Sequence, residues 1–124
     1  MKIRIKGNAL RIRLSRSEVD RFGAEGYLDD RTEFHNGIFT YALKKVQGGE
    51  ALTAGFEHST ITMFVPDVML AEWISTEKVG YSNTMDTGNG NSLFLLLEKD
   101  FKCLDAEGVE DQSDNFENPN HTCN

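Results

Sequence analysis

"MKIRIKGNALRIRLSRSEV", residues 1–19, alternates apolar and basic side chains on both sides of Gly7-Asn8. Alternation with a period of two is the pattern of a β-strand with two different faces. A Gly-Asn pair suits a two-residue hairpin turn that requires positive φ. The stretch therefore predicts a hairpin with strands near 2–6 and 9–14. Ser15 stands three residues before Glu18, the spacing of a capping box, so a helix is predicted to follow.

The two faces of this hairpin differ in chemistry. Its apolar face is predicted to contribute Leu10, Ile12 and Leu14 to the core. The opposite face, called the basic face below, carries Lys2, Arg4, Lys6, Arg11 and Arg13. Convergent Arg and Lys side chains hold phosphate groups and carboxylates, so the basic face is a candidate site for an anionic small molecule or an acidic peptide. The alternative is a solvated face that discourages edge pairing, or one paired with acids such as Glu33 or Glu98.

The rest of the chain repeats the order of hairpin, helix and two strands. Further hairpin turns are predicted at Asn36-Gly37, near residues 57–59 and at 88–91, and a second helix after Pro66. Residues 1–48 and 49–102 then form two ββαββ halves of a duplicated unit. Two helices cannot cover both faces of eight strands. The predicted fold class is therefore α+β, with a strongly curved or barrel-like, mainly antiparallel sheet whose basic face could line a polar channel.

The two helices are predicted to bury one face each. On the first helix these residues are Val19 and Phe22, and on the second Met69 or Leu70, Trp73 and Ile74. The aromatic residues fit a hydrophobic core better than a ligand site. They are Phe34, Phe39, Tyr41, Phe56, Phe64, Trp73, Phe94 and Phe101.

Composition limits the class of protein. The chain has 124 residues and predicts one domain over residues 1–102, followed by an acidic C-terminal extension over 103–124. The net charge of −7 argues against general nucleic-acid binding, which needs a basic surface. No apolar run is long enough to span a bilayer, and no signal peptide is recognised at the N-terminus. We therefore expect a cytoplasmic protein that does not bind membranes.

The C-terminal extension holds a second candidate site. Cys103, His121 and Cys123 are residue types that bind zinc, and Asp105 or a neighbouring acid could complete a tetrahedral set. No Cys-x-x-Cys knuckle supports this interpretation. A disulfide between the two cysteines, or a solvated tail with inert thiols, are the alternatives.

Two resemblances add to this interpretation. The segments MKIRIKGNALRIRLSRSEVDRFGAEG and TITMFVPDVMLAEW, together with a tail that reads LLLEKDFKCLD, then ED, NFENPN and a final Cys, resemble a family of small bacterial proteins of unknown function. At the level of the fold, the duplicated unit resembles the triphosphate tunnel enzymes, which include relatives of adenylate cyclase. Those enzymes begin with a Glu-x-Glu-x-Lys strand, whereas Lys2–Lys6 reads Lys-Ile-Arg-Ile-Lys and lacks the metal-binding acids.

The sequence predicts a cytoplasmic, non-enzymatic binding or interaction protein. Nucleophile elbows, HExxH motifs and phosphate-binding Gly-rich loops are absent from it. The alternative is an enzyme or sensor of phosphorylated small molecules, in which Arg4, Arg11 and Arg13 would clamp the anion.

Overall fold

A computed structural model describes residues 1–101 together with Asp114 and Phe116. These residues form eight strands and two helices in the order that the sequence predicts. In chain order they are β1 Lys2–Ile5, β2 Ala9–Leu14, α1 Arg16–Glu25, β3 Tyr27–Phe34, β4 Gly37–Val46, β5 Thr53–Glu57, β6 Thr60–Pro66, α2 Asp67–Ser75, β7 Gly80–Gly88 and β8 Asn91–Lys99. β3 starts about one helical turn earlier than the sequence indicates, directly after the left-handed Gly26 that ends α1. Neither helix is long and apolar enough to cross a membrane.

The strands form two mixed sheets of four strands each. Sheet A has the order β1-β2-β8-β7, and sheet B has the order β3-β4-β6-β5. The four hairpins pair in the antiparallel sense, but the two central pairs, β2 with β8 and β4 with β6, are parallel. Each sheet therefore joins one hairpin from each half of the chain. The shared order is consistent with the predicted repeat. Four of the six strand pairs of the described residues are antiparallel hairpins, as predicted, whereas the single predicted sheet is corrected to two mixed sheets with a parallel central pair in each.

The predicted barrel is also corrected, because no closed barrel forms among the described residues. A closed barrel would need backbone hydrogen bonds between β5 and β7. Where these two strands approach each other, the hydrogen bonds involve side chains instead. The Asn83 amide donates to the Leu52 carbonyl at 2.8 Å, and the Ala54 N–H donates to the Met85 sulfur at 3.4 Å. A side chain inserted between two strands holds their backbones beyond the spacing of a ladder. The strands therefore remain in two sheets.

One hydrophobic core joins the inner faces of both sheets to the two helices. Leu10, Ile12 and Leu14 are buried in it, as predicted, together with Val19 and Phe22 of α1. Because α1 and α2 contact each other and follow the ends of β2 and β6, the helices cover one end of the space between the sheets.

On α2 the prediction was partly wrong. Leu70 and Trp73 are buried, but Ile74 is 44% exposed. Its side chain lies over Gly23 of α1, where an added Cβ atom would come within 3.0 Å. Ile74 therefore packs at the rim of the helix pair rather than in the core. Pro66 ends β6, and the helix begins one residue later, at Asp67.

The start of α1 is fixed by Glu18. The Ser15 backbone N–H donates to Glu18 Oε1 at 2.9 Å, which completes the predicted capping box, and the Met1 amino group donates to Oε2. Burial raises the pKa of this carboxyl, but the Met1 ammonium and the Ser15 N–H outweigh it, so the pKa lies below its ordinary value of 4.5. Both contacts stabilise the ionised carboxylate.

Glu18→Gln is expected to lower the free energy of unfolding at neutral pH by about 1–2 kcal/mol, because it weakens two hydrogen bonds to a charged group. A folded-state pKa below 4.5 means that this contribution is complete above that pH and is lost as the pH falls through the folded value. The difference between wild type and variant should therefore shrink below about pH 4.5.

Urea denaturation at several pH values measures this difference. Asp20→Asn removes an exposed carboxylate from the same helix and serves as the control. A difference between wild type and Glu18→Gln that stays constant down to pH 3 would contradict the prediction.

Phe116 contacts the start of α1 and the end of β8. Its ring lies at a centroid distance of 5.7 Å from Phe101, and its N–H donates to the Asp100 carbonyl at 2.8 Å. The Arg16 guanidinium and the Lys99 ammonium each lie 5.3 Å from its centroid. Asp114 accepts hydrogen bonds from the N–H and hydroxyl of Ser17. These contacts attach the two described residues of the extension to sheet A and α1.

Candidate functional site

An apolar cleft lies between the two sheets, at the end opposite the helices. It is bounded by residues near the turns of hairpins from both sheets and has a volume of about 430 Å³. Small-molecule sites usually have volumes of roughly 300–1,000 Å³ and a mainly apolar lining. The cleft therefore has the size and chemistry of a site for a small organic molecule.

Both sheets contribute apolar side chains to this cleft. From sheet A these are Ile5, Ala9, Leu10, Met85 and Leu93, and from sheet B they are Phe39, Ala54, Phe56 and Ile61; Gly7, Asn8, Gly55 and Thr87 complete the lining. The helices fill the space between the sheets at the other end, and the described residues contain no third helix to fill this end. As a result Ile5 is 56% and Phe56 is 66% exposed.

A more polar depression shares part of this lining. It is bounded by Asn8, Thr87 and Leu93, which also line the cleft, and by Gly90, Asn91 and Ser92. The Asn8 side chain donates to the Ser92 carbonyl at 2.6 Å, so its carbonyl oxygen points away from that bond. Within the part of the chain that the structure describes, none of the residues that bound the cleft or the depression carries a charge at neutral pH. The combined surface therefore offers apolar contacts and neutral hydrogen-bonding groups.

The expectation that all the aromatic residues belong to the core was wrong. Trp73 is fully buried, but Phe34 is 58% exposed, and Phe56 and Phe94 are also exposed. Phe34 and Phe56 lie close to hairpin turns, beyond the part of the sheets that the helices cover. Strand alternation assigns these residues to a face but does not show where along the strand the covering layer ends.

The basic face lies on the outer side of sheet A. Arg11 donates to Glu98 Oε1 through Nε at 2.7 Å and through Nη2, and Arg13 donates to the same oxygen at 2.7 Å. Glu98 occupies this position because β8 pairs with β2 and places it beside Arg13. For Arg11 and Arg13 the structure therefore shows the alternative of pairing with Glu98, while Glu33 lies on β3 of sheet B.

The remaining residues of the basic face, Lys2, Arg4 and Lys6, differ in their contacts with carboxylates. Lys2 forms an ion pair with Asp100 at 2.9 Å. Arg4 and Lys6 are exposed, and no carboxylate of the described residues lies within 4.0 Å of either side chain. Arg4 is the direct cross-strand neighbour of Arg11. The structure thus brings Arg4, Arg11 and Arg13 together on one open surface and not in a closed channel.

The candidate zinc ligands Cys103, His121 and Cys123 lie outside the described residues. Among the residues that the structure does describe, no group of three or more His, Cys, Asp or Glu side chains could hold a metal ion.

Comparison with known proteins identifies the family of the chain. The family model of DUF7009, a family of unknown function, matches residues 1–120. The chain belongs to the DUF7009 family. This result confirms the resemblance to an uncharacterised family. The chain matches none of the curated proteins and none of the solved structures compared with it, and the resemblance to triphosphate tunnel enzymes is not shown.

Sequence reasoning missed the cleft of this DUF7009 member. Its lining comes from seven of the eight strands, and three of its residues, Leu10, Phe39 and Phe56, were expected in the core. One available signal was the count of helices: two helices cannot cover the full length of two four-stranded sheets. Another was the position of Ile5 and Phe56, each within three residues of a predicted hairpin turn.

Proposed function

We propose that the protein is a non-enzymatic binding protein whose ligand occupies the apolar cleft between the sheets. The observation that carries this proposal is the exposed apolar surface at the mouth, where Ile5 and Phe56 lie largely in solvent. Burial of apolar surface contributes roughly 25 cal/mol per Å². An apolar ligand that covers these side chains would gain this contribution.

The ligand class follows from the neutral side chains of the described residues that line the cleft. A charged group placed in the cleft would lose hydration without gaining an ion pair, which is costly. A neutral molecule with an apolar body and one hydroxyl or amide group meets no such cost. Its body would contact Phe39 and Phe56, and its polar end would lie by Asn8 and Thr87 in the adjoining depression.

The same lining favours binding over catalysis. None of the described residues that line the cleft has a side chain that could act as a general acid or base at neutral pH. Proton transfer and nucleophilic attack need such groups within hydrogen-bond reach of the reacting atoms. The lining supplies shape and neutral hydrogen bonds, which are sufficient for recognition.

Phe56→Ser is expected to weaken binding of the neutral dye Nile red about tenfold, since burying a phenyl ring contributes roughly 1.5 kcal/mol or more. Fluorescence titration of the folded protein measures this effect. Phe34→Ser is the matched control, because Phe34 is similarly exposed but does not line the cleft. Equal affinity of the two variants, or no binding by the wild type, would overturn the proposal.

Competition for the bound dye tests the ligand class. 1-Decanol and decanoate have the same chain length and differ in the charge of the head group. We expect 1-decanol to displace Nile red at lower concentration than decanoate, because none of the described residues that line the cleft is a cation. The opposite order would exclude a neutral ligand and would indicate that a cation near the mouth, such as Lys6, takes part.

We also propose that the two halves arose by duplication of one ββαββ unit. The support is the element order, together with the correspondence of sheets: β5, β6, β4 and β3 take the places in sheet B that β1, β2, β8 and β7 take in sheet A. Both copies then contribute to the lining of the cleft, because each of the two sheets contains one hairpin of each copy.

A further inference from the structure

We infer that the outer face of sheet A binds a phosphate-type anion between Arg4, Arg11 and Arg13, independently of the apolar cleft. Arg4 lies directly across from Arg11 on the neighbouring strand, and Arg13 lies two residues further along β2 on the same face. Directly opposed residues of antiparallel strands have Cβ atoms roughly 5 Å apart. Three guanidinium groups thus share a surface small enough to contact one ligand.

Glu98 holds two of these groups in place. Its oxygen Oε1 accepts hydrogen bonds from Nε and Nη2 of Arg11 and from Nε of Arg13. The remaining guanidinium nitrogens of both arginines are not engaged by Glu98. One carboxylate also neutralises only one of the two positive charges. Glu98 is therefore a positioning residue that leaves a net positive charge and free donors.

Arg4 supplies the group with no carboxylate partner in the described structure. Its side chain is exposed, and its direct neighbour Arg11 carries the same charge. Like charges directly opposite each other destabilise a pair of strands. An anion bound between them removes this repulsion. The repulsion between Arg4 and Arg11 therefore destabilises the free protein slightly, and a bound anion would remove this destabilisation.

The corresponding positions of sheet B show that the fold does not require this cluster. There, β6 pairs with β4 in the same parallel arrangement as β2 with β8, with Phe64 beside Lys44 where sheet A has Arg13 beside Glu98. Thr62 lies two residues before Phe64, as Arg11 does before Arg13. A threonine and a phenylalanine complete that sheet without guanidinium groups.

Phosphate is the anion that this arrangement favours. A planar guanidinium donates two parallel hydrogen bonds to a phosphate or carboxylate, and several of them together suit a group with more than one negative charge. The surface is open, so the phosphate would be presented at the end of a small molecule or as inorganic pyrophosphate. None of the three arginines lines the apolar cleft, which keeps the two proposals separable.

Isothermal titration calorimetry of the full chain with inorganic pyrophosphate at low ionic strength tests the inference. Arg4→Gln is expected to weaken binding about tenfold, and Arg31→Gln, which removes an exposed arginine from the outer face of sheet B, should leave it unchanged. Arg11→Lys keeps the charge but loses the paired donors, so it should also weaken binding. Glycerol phosphate in place of pyrophosphate distinguishes a monoester ligand from an inorganic one.

Absence of pyrophosphate binding by the wild type would overturn the inference. It would also fail if Arg31→Gln weakened binding as much as Arg4→Gln, or if Arg11→Lys had no effect, since both results indicate general attraction by charge. Nile red binding should be the same in Arg4→Gln and wild type, so this inference and the proposed cleft function can fail separately.

Discussion

Gly80→Ala is expected to lower the free energy of unfolding by roughly 3 kcal/mol, the upper end of the usual cost of overpacking. Gly80 begins β7 and lies directly opposite Glu98 of β8. A Cβ atom at this position would come within 2.0 Å of the Leu97 carbonyl oxygen and 2.8 Å of Glu98 Cα. Both are backbone atoms, so no side-chain rotation relieves the contact and the two strands must separate.

The separation should also be visible outside β7. Glu98 holds Arg11 and Arg13, so a shift of β8 at this residue disturbs the contacts of both arginines. We therefore expect Gly80→Ala to weaken pyrophosphate binding under conditions in which the variant is still folded. Thermal unfolding followed by circular dichroism measures the stability change.

Gly37→Ala is the matched control for this substitution. Gly37 also begins a strand, but a Cβ atom there meets no atom within 4 Å and its φ is not positive. At such a site alanine usually stabilises a protein, by about 0.4–1 kcal/mol, because it restricts the unfolded chain. Equal stability of the two variants would show that the β7–β8 contact is not as tight as the structure indicates.

The comparison of these two glycines shows what the sequence could predict. The pair Asn36-Gly37 correctly indicated a hairpin, although Gly37 does not adopt the left-handed conformation, whereas Gly7 does, with φ of 56°. Nothing in the local sequence indicates that residue 80 must be a glycine. The requirement comes from the backbone of Leu97 and Glu98 on β8, which a Cβ atom at residue 80 would contact. Local patterns predict hairpins and helices, but the tolerance of one glycine depends on tertiary contacts.

The pairing of strands into two sheets was not predicted, because it too depends on tertiary contacts. Residue alternation assigned Leu10, Ile12 and Leu14 to the core correctly, since burial of a strand face depends on its own sequence. The parallel pairing of β2 with β8 joins strands that are far apart in the sequence, so neither strand's own pattern specifies it. Each of these strands is buried on its inner face in either topology, so their patterns do not distinguish a barrel from two sheets. The cleft depends on that choice and was therefore missed.

The basic face was only partly predictable for the same reason. Alternation placed Arg4, Arg11 and Arg13 on one face, and the residue types indicated an anion. Whether the arginines were free depended on the neighbouring strand. Glu98 was one of two acids named as partners, and only the register of β8 distinguishes it from Glu33. Arg4 is exposed on β1, which is an edge of sheet A, and none of the described strands lies beyond it to supply an acid.

Trp73→Ala is expected to lower the free energy of unfolding by about 3–5 kcal/mol, the cost of removing a large aromatic side chain from a core. Trp73 is fully buried on α2, and its indole N–H donates to the Val79 carbonyl at 2.9 Å. The Lys99 N–H donates to the same carbonyl at 2.9 Å. The indole therefore joins the helix to the start of β7 and to the end of β8.

Val68→Ala is the control on the same helix, because Val68 is 72% exposed and should change stability by no more than about 0.5 kcal/mol. Trp73→Phe separates the two roles of the indole if the alanine variant fails to fold. Phenylalanine keeps much of the apolar volume and loses the hydrogen bond, but the Val79 carbonyl retains its bond from Lys99. We expect a loss of about 1–2 kcal/mol for this variant, most of it from imperfect packing.

Val79 lies between Trp73 and Gly80 in this junction, so the effects of substitutions at the two positions should not be additive. Gly80→Ala separates β7 from β8, so the indole hydrogen bond to the Val79 carbonyl stabilises the junction less in that variant. Trp73→Phe should therefore lower the free energy of unfolding by less in Gly80→Ala than in the wild type. A double-mutant cycle measured by urea denaturation gives this interaction energy, for which coupled residues typically show 0.5 kcal/mol or more. Additive losses would show that α2 is anchored to the core independently of the β7–β8 pair.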